Sequence, residues 1–227
     1  METKEVHKRK RSEPKSHPLL GNRYTKILSD GTTMMTNIDD KQCCCCCVCI
    51  VDMNLMEMER DIEWSIHMLP TQEQKHRKLI YEMEKRQGQY VDDDSVNDLV
   101  RIDRVLVGIA FKDDPNMMEN YDEECGCFGS FCLDLNDNSL HSYPSFSKTT
   151  FASNTVFAPT TGYPYNIQID DEITCIFSPT VGTLTFKVNG TPISDIPSIT
   201  GIPLDRPLCP YIETYEEFSC NVDFPVC

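Results

Sequence analysis

A chain of 227 residues is long enough for one large domain with a sizeable core, and 40% hydrophobic with 25% charged residues excludes disorder throughout. The formal charge of −15 is unevenly spread: residues 1–26 hold eight Lys or Arg against three Glu, a surplus of five positive charges, so the rest carries −20. A body that acidic repels a phosphate backbone, which excludes nucleic-acid binding except through the first residues.

No apolar run approaches the thickness of a bilayer, and the N-terminus is charged where a signal peptide is apolar, so the expected location is cytoplasmic or nuclear. Residues 1–20 read as a disordered basic tail, in which Lys8–Arg11 is either a nuclear-import signal or simply solvated charge. Residues 21–227 read as the folded domain. Ile27–Gly31 suggests a strand end and a turn. Six of the thirteen cysteines crowd into Cys43–Cys47 and Cys49, too close to be bridged to one another without strain, so free thiols are expected. With Val48, Ile50 and Val51 they suit a buried strand, because free cysteine is small and apolar. Zinc binding and palmitoylation of this run are the competing readings, but the Cys-x-x-Cys spacing arises for free in a homopolymer and no second pair answers it.

Glu63–Met68 reads as a strand with the single tryptophan, Trp64, in the core and His67 on the face opposite Ile66. Thr71 and Gln74 form a capping box, Lys85 and Arg86 suit a last helical turn, and Gly88 is placed to end it; a helix over 72–87 is predicted. Its apolar stripe of Leu79, Ile80 and Met83 is expected to lie on the surface of the sheets. Arg104–Phe111 is apolar on both faces, as a central strand is, and Phe131, Leu133 and Leu135 alternate in the next strand. Asp134, Asn136 and Asn138 have the first spacings of a calcium loop, but Ser139 and Ser145 stand where glycine and glutamate are required, leaving a polar turn. Residues 141–169 read as short strands and loops. Ile173, Cys175 and Phe177, then Leu184, Phe186 and Val188, alternate on either side of Ser178–Gly182, and Asn189-Gly190 predicts a type I′ turn into a third strand. Strands over 208–212 and 219–224 follow. The fold class is all-β, with two antiparallel sheets.

Four stretches carry a resemblance to the SPRY domain. Asp171, Phe186 and Asn189-Gly190 match its hairpin signature, Trp64 its tryptophan strand, Val107-Gly108-Ile109-Ala110 its Val-Gly-Val/Ile-Ala strand, and Leu208–Ile212 its Leu-Tyr-Pro-x-Val strand, in family order. The resemblance implies a SPRY-type, concanavalin-like β-sandwich, with residues 70–102 as a helical and acidic insertion. Asp170 stands where the family has glycine, which predicts a less sharply bent strand entrance.

The resemblance also implies a non-catalytic module that recognises a short segment of a partner protein through loops at the sandwich edge, as SPRY domains do as substrate receptors in ubiquitin-ligase assemblies. Asp113, Asn116, Tyr121, Tyr143, Tyr163 and Tyr165 are the candidate contact residues, since exposed tyrosine often anchors such contacts. No cofactor and no metal are expected. A lectin-like carbohydrate module is the alternative, because lectins share the sandwich, and a cysteine- or metal-dependent hydrolase is weaker still, because His67 and His141 sit in no catalytic motif and no phosphate loop is present.

Overall fold

The strict alternation over 172–188 produces a hairpin in the computed structural model, which describes residues 17–22, 24–36, 47–87, 105–114, 129–143, 154–157, 167–193, 196–214 and 217–224. Its two strands are β10 (Glu172–Ser178) and β11 (Thr183–Val188), with Ile173, Cys175, Phe177, Leu184, Phe186 and Val188 all buried. Asn189 and Gly190 have φ of 49° and 74°, the two positive values a type I′ turn needs, and the chain folds straight back. The entrance to the hairpin is locked by its own motif residues. Asp171 accepts from the Asn189 amide at 2.7 Å and from Gln168 N at 2.7 Å, while Asn189 Oδ1 accepts from Glu172 N at 2.9 Å. Asp170 corrects the expectation of a gentler bend: its φ is 75°, so it adopts the glycine-like conformation without being glycine.

The remaining strands are β1 (Leu19–Gly21), β2 (Thr25–Ile27), β3 (Thr33–Thr36), β4 (Cys47–Val51), β5 (Ile62–Met68), β6 (Val105–Phe111), β7 (Ser130–Asp134), β8 (Leu140–Tyr143), β9 (Asn154–Phe157), β12 (Thr191–Pro192), β13 (Leu208–Thr214) and β14 (Ser219–Asp223). They form two sheets of seven, in the orders β1-β4-β13-β6-β7-β8-β9 and β12-β11-β10-β5-β14-β3-β2, with antiparallel pairing throughout. β1 takes Leu19 and Leu20 into the first sheet, two residues ahead of 21. Of the cysteine run, Cys47 and Cys49 lie in the described residues and are buried in β4; Cys43–Cys46 lie outside them.

The core lies between the sheets. Trp64, Ile66, Val107, Ile109, Ile173, Cys175 and Phe177 belong to it, and Trp64 stacks on Phe224 with ring centroids 6.0 Å apart. A second apolar cluster of Val48, Ile50, Leu106, Ala110, Cys132, Cys209 and Tyr211 covers the outer face of the first sheet. β4, β6, β7 and β13 are therefore buried on both faces, which is why β4 and β6 run apolar without alternation, while β7 and β13 also bury Ser130, Asp134, Glu213 and Thr214.

The helix α1 (Gln72–Arg86) starts at Thr71, whose hydroxyl accepts from Gln74 N while the Gln74 side chain accepts from Thr71 N, the capping box that was predicted. Its apolar stripe departs from expectation. Leu79, Ile80 and Met83 are 42–55% exposed, so α1 does not lie on the sheets by that face.

Candidate functional site

The two ends of the sandwich differ. At one, which we call the loop end, β6 stops at Phe111, β13 starts at Leu208 and the β10–β11 turn projects; at the other, the helix end, β5 passes into α1.

Short contacts fix the loop end. Lys112 N donates to Pro207 O at 2.9 Å, and Lys112 Nζ lies 2.7 Å from Asp52. Arg206 forks onto Asp113, with Nη2 at 2.7 Å and Nε at 3.1 Å from Oδ1, and its guanidinium sits 4.0 Å over the Phe111 ring centroid. A bidentate pair of this kind, stacked on an aromatic, fixes direction more than it adds stability; an exposed pair contributes about 0–1 kcal/mol. Beside it, Ile202 N donates to Gly182 O at 3.1 Å and Gly182 N to Ser178 O at 2.9 Å. Gly182 has φ of 64°, and a Cβ there would stand 2.6 Å from Ile202 O, so the two loops meet only because this residue is glycine. Two apolar side chains meet solvent here: Val181 is 65% exposed and Leu204, whose Cδ2 stands 3.5 Å from where a Cβ on Gly182 would be, is 37% exposed, with the Arg206–Asp113 pair two residues along the chain from Leu204. An apolar centre with a charged rim is the anatomy of a protein-contact patch.

Asp113 is exposed at this end, engaged by Arg206. Tyr143 ends β8 in a register row with Ser130, Ala110 and Cys209, which places its backbone at the loop end too. Asn116, Tyr121, Tyr163 and Tyr165 lie outside the described residues. Val181, Leu204 and Arg206 were not singled out from sequence. The only local signal was an apolar residue inside a Pro-Thr-Val-Gly turn, where solvent usually selects polar side chains.

The competing chemistries find little support here. Trp64 is buried against Phe224 and presents no ring face for a sugar to stack on. The described cysteines Cys47, Cys49, Cys132, Cys175, Cys209 and Cys220 are all buried. Burial pushes the thiols of Cys49 and Cys209 up to about 12 and raises those of Cys132, Cys175 and Cys220 well above the ordinary value, so these five are protonated and unreactive at neutral pH. No described helix is long and apolar enough to cross a membrane.

No family model and no curated protein matches the chain. Among solved structures, the PSpry domain of TRIM65 aligns over 93% of this chain and 91% of its own at 10% identity, with a TM-score of 0.51. The SPRY domain of human HERC1 aligns over 93% of this chain and 96% of its own, also at 10% identity, with a TM-score of 0.48. The first of these likenesses establishes the fold as the SPRY sandwich.

Proposed function

For a chain folded as a SPRY domain, we propose the role of a non-catalytic protein-interaction module that takes a short segment of a partner protein at its loop end. The observation that carries this reading is the exposed apolar pair Val181 and Leu204 on loops braced by the Gly182–Ile202 contact and the Arg206–Asp113 ion pair. A preformed patch binds without first paying the entropy of ordering its loops. Asp113, Asn116, Tyr121, Tyr143, Tyr163 and Tyr165 remain the candidate contact residues of this reading, with Asp113 and the backbone of Tyr143 at the loop end. The wider role is that of an adaptor or substrate receptor associated with a ubiquitin ligase, in the cytoplasm or nucleus, with any ligase chemistry supplied by the associated protein.

Selection of peptides from a random displayed library against the intact chain tests the proposal. Selected peptides are expected to bind at least about tenfold more weakly to a Val181→Asp, Leu204→Asp double variant, a loss of about 1.4 kcal/mol. Leu79→Asp on the exposed helix is expected to leave binding unchanged. Peptides that bind the folded double variant as well as the wild type, or a selection that yields none, overturn the loop-end site.

A further inference from the structure

We propose that the β7–β8 turn binds a first-row transition-metal dication, Zn²⁺ being the probe, through Asp134, Asp137 and His141. Asp134 ends β7, Asp137 lies in the turn, and His141 returns in β8 opposite Cys132, so eight residues of contiguous chain supply all three ligands. One ligand atom from each lies within 4.8 Å of the other two. Ligands around one tetrahedral zinc, with bonds of about 2.0–2.2 Å, stand roughly 3.3 Å apart, so the three groups would close in by on the order of an ångström as the ion enters. Asp134 and His141 are only 5% and 8% exposed, so the ion would sit at the margin of the outer face rather than on a mobile surface loop.

Ser139 orients the other two groups. Its Oγ is 2.5 Å from Asp137 Oδ1 and 2.6 Å from His141 Nε2. A hydroxyl has one proton and a carboxylate only accepts, so Ser139 donates to Asp137 and accepts from Nε2–H. That tautomer carries its lone pair on Nδ1, the form in which imidazole binds a metal, with Nε2 held by a neighbouring group as metal-bound histidines commonly are. Ser139 N also donates to Asp137 Oδ1, at 2.8 Å, so both bonds from Ser139 fall on one oxygen and Oδ2 would be the oxygen to take an ion. An imidazole with two carboxylates suits zinc, manganese or iron rather than calcium, in keeping with the failed calcium-loop pattern of the same turn. The site is at the helix end and does not depend on the loop-end proposal.

The cysteine run is a competing ligand, so the test uses the full chain with its accessible thiols alkylated. Zn²⁺ titrated by calorimetry is expected to bind one to one and to raise the melting temperature. Asp137→Asn and His141→Gln are each expected to weaken binding at least tenfold and to abolish the melting shift, with metal-free urea midpoints showing that both fold. Ser139→Ala is expected to weaken it about ten- to a hundredfold through lost orientation. Asp137→Asn, at a partly exposed position, decides the matter if His141→Gln fails to fold. No one-to-one binding at millimolar Zn²⁺, or equal binding by wild type and Asp137→Asn, overturns the site.

Discussion

Two residues on opposite sides of the β10–β11 hairpin show what a positive φ demands. Asp170 holds φ of 75° with a side chain attached, a conformation that strains an L-residue by about 1–2 kcal/mol, less for aspartate. Asp170→Gly is therefore expected to stabilise the fold by up to about 1 kcal/mol, read from the urea midpoint at constant slope. Gly182 holds φ of 64° with Ile202 O directly in the path of a Cβ. Gly182→Ala is expected to destabilise by about 1–3 kcal/mol and to weaken any loop-end ligand, because the loops that carry Val181 and Leu204 must part. A neutral Gly182→Ala with unchanged binding would show that this contact does not organise the patch. Asp171 and Asn189 were legible from the sequence as motif residues; that they hydrogen-bond each other across 18 positions was not.

Among the elements, the strands were read well wherever one face is core and the other is not. β5, β10 and β11 alternate because one side of each packs in the core while the other is covered less completely, apart from the buried Thr174, and that period of two is present in the residues themselves. β1 was missed because three residues hold too little pattern, and only pairing with β4 makes them a strand. For α1 the capping box and the stripe were both visible, yet periodicity says which residues share a face and not what covers it. Leu79→Lys, Ile80→Lys and Met83→Lys are each expected to change stability by less than about 0.5 kcal/mol, since these side chains already meet solvent. A loss of several kcal/mol from the triple variant in urea unfolding would mean that the stripe is packed. The buried thiols of β4, β7, β10, β13 and β14 add a pH dependence. Their folded values lie above the ordinary 9.0, so the stability they support is intact below pH 9 and is lost as pH rises toward about 12. Each thiol contributes a slope of about 1.4 kcal/mol per pH unit in that window. Urea midpoints from pH 8 to 11 measure it. Cys175→Ala is expected to remove one thiol's share, and an unchanged slope would place Cys175 in contact with water.

At the scale of the whole molecule, the acidic sandwich separates two regions with different chemistry: a braced apolar tip at the loop end and an Asp-Asp-His cluster at the helix end. The library and zinc experiments address them independently, and loss of one leaves the other standing. Family order of four short motifs was enough to read the sandwich, and the TRIM65 likeness at 10% identity bears that out. Side-chain alternation, turn dipeptides and caps are local, so composition, strand pattern, the β10–β11 hairpin and the start of α1 were determined by the sequence itself. Only the tertiary structure decided that Arg206 clamps Asp113 across 93 residues, that Gly182 meets Ile202, and that the stripe of α1 faces water. Those outcomes depend on which loops the two sheets bring together and on which faces they leave open, and no local pattern encodes a neighbour that arrives from the other end of the chain.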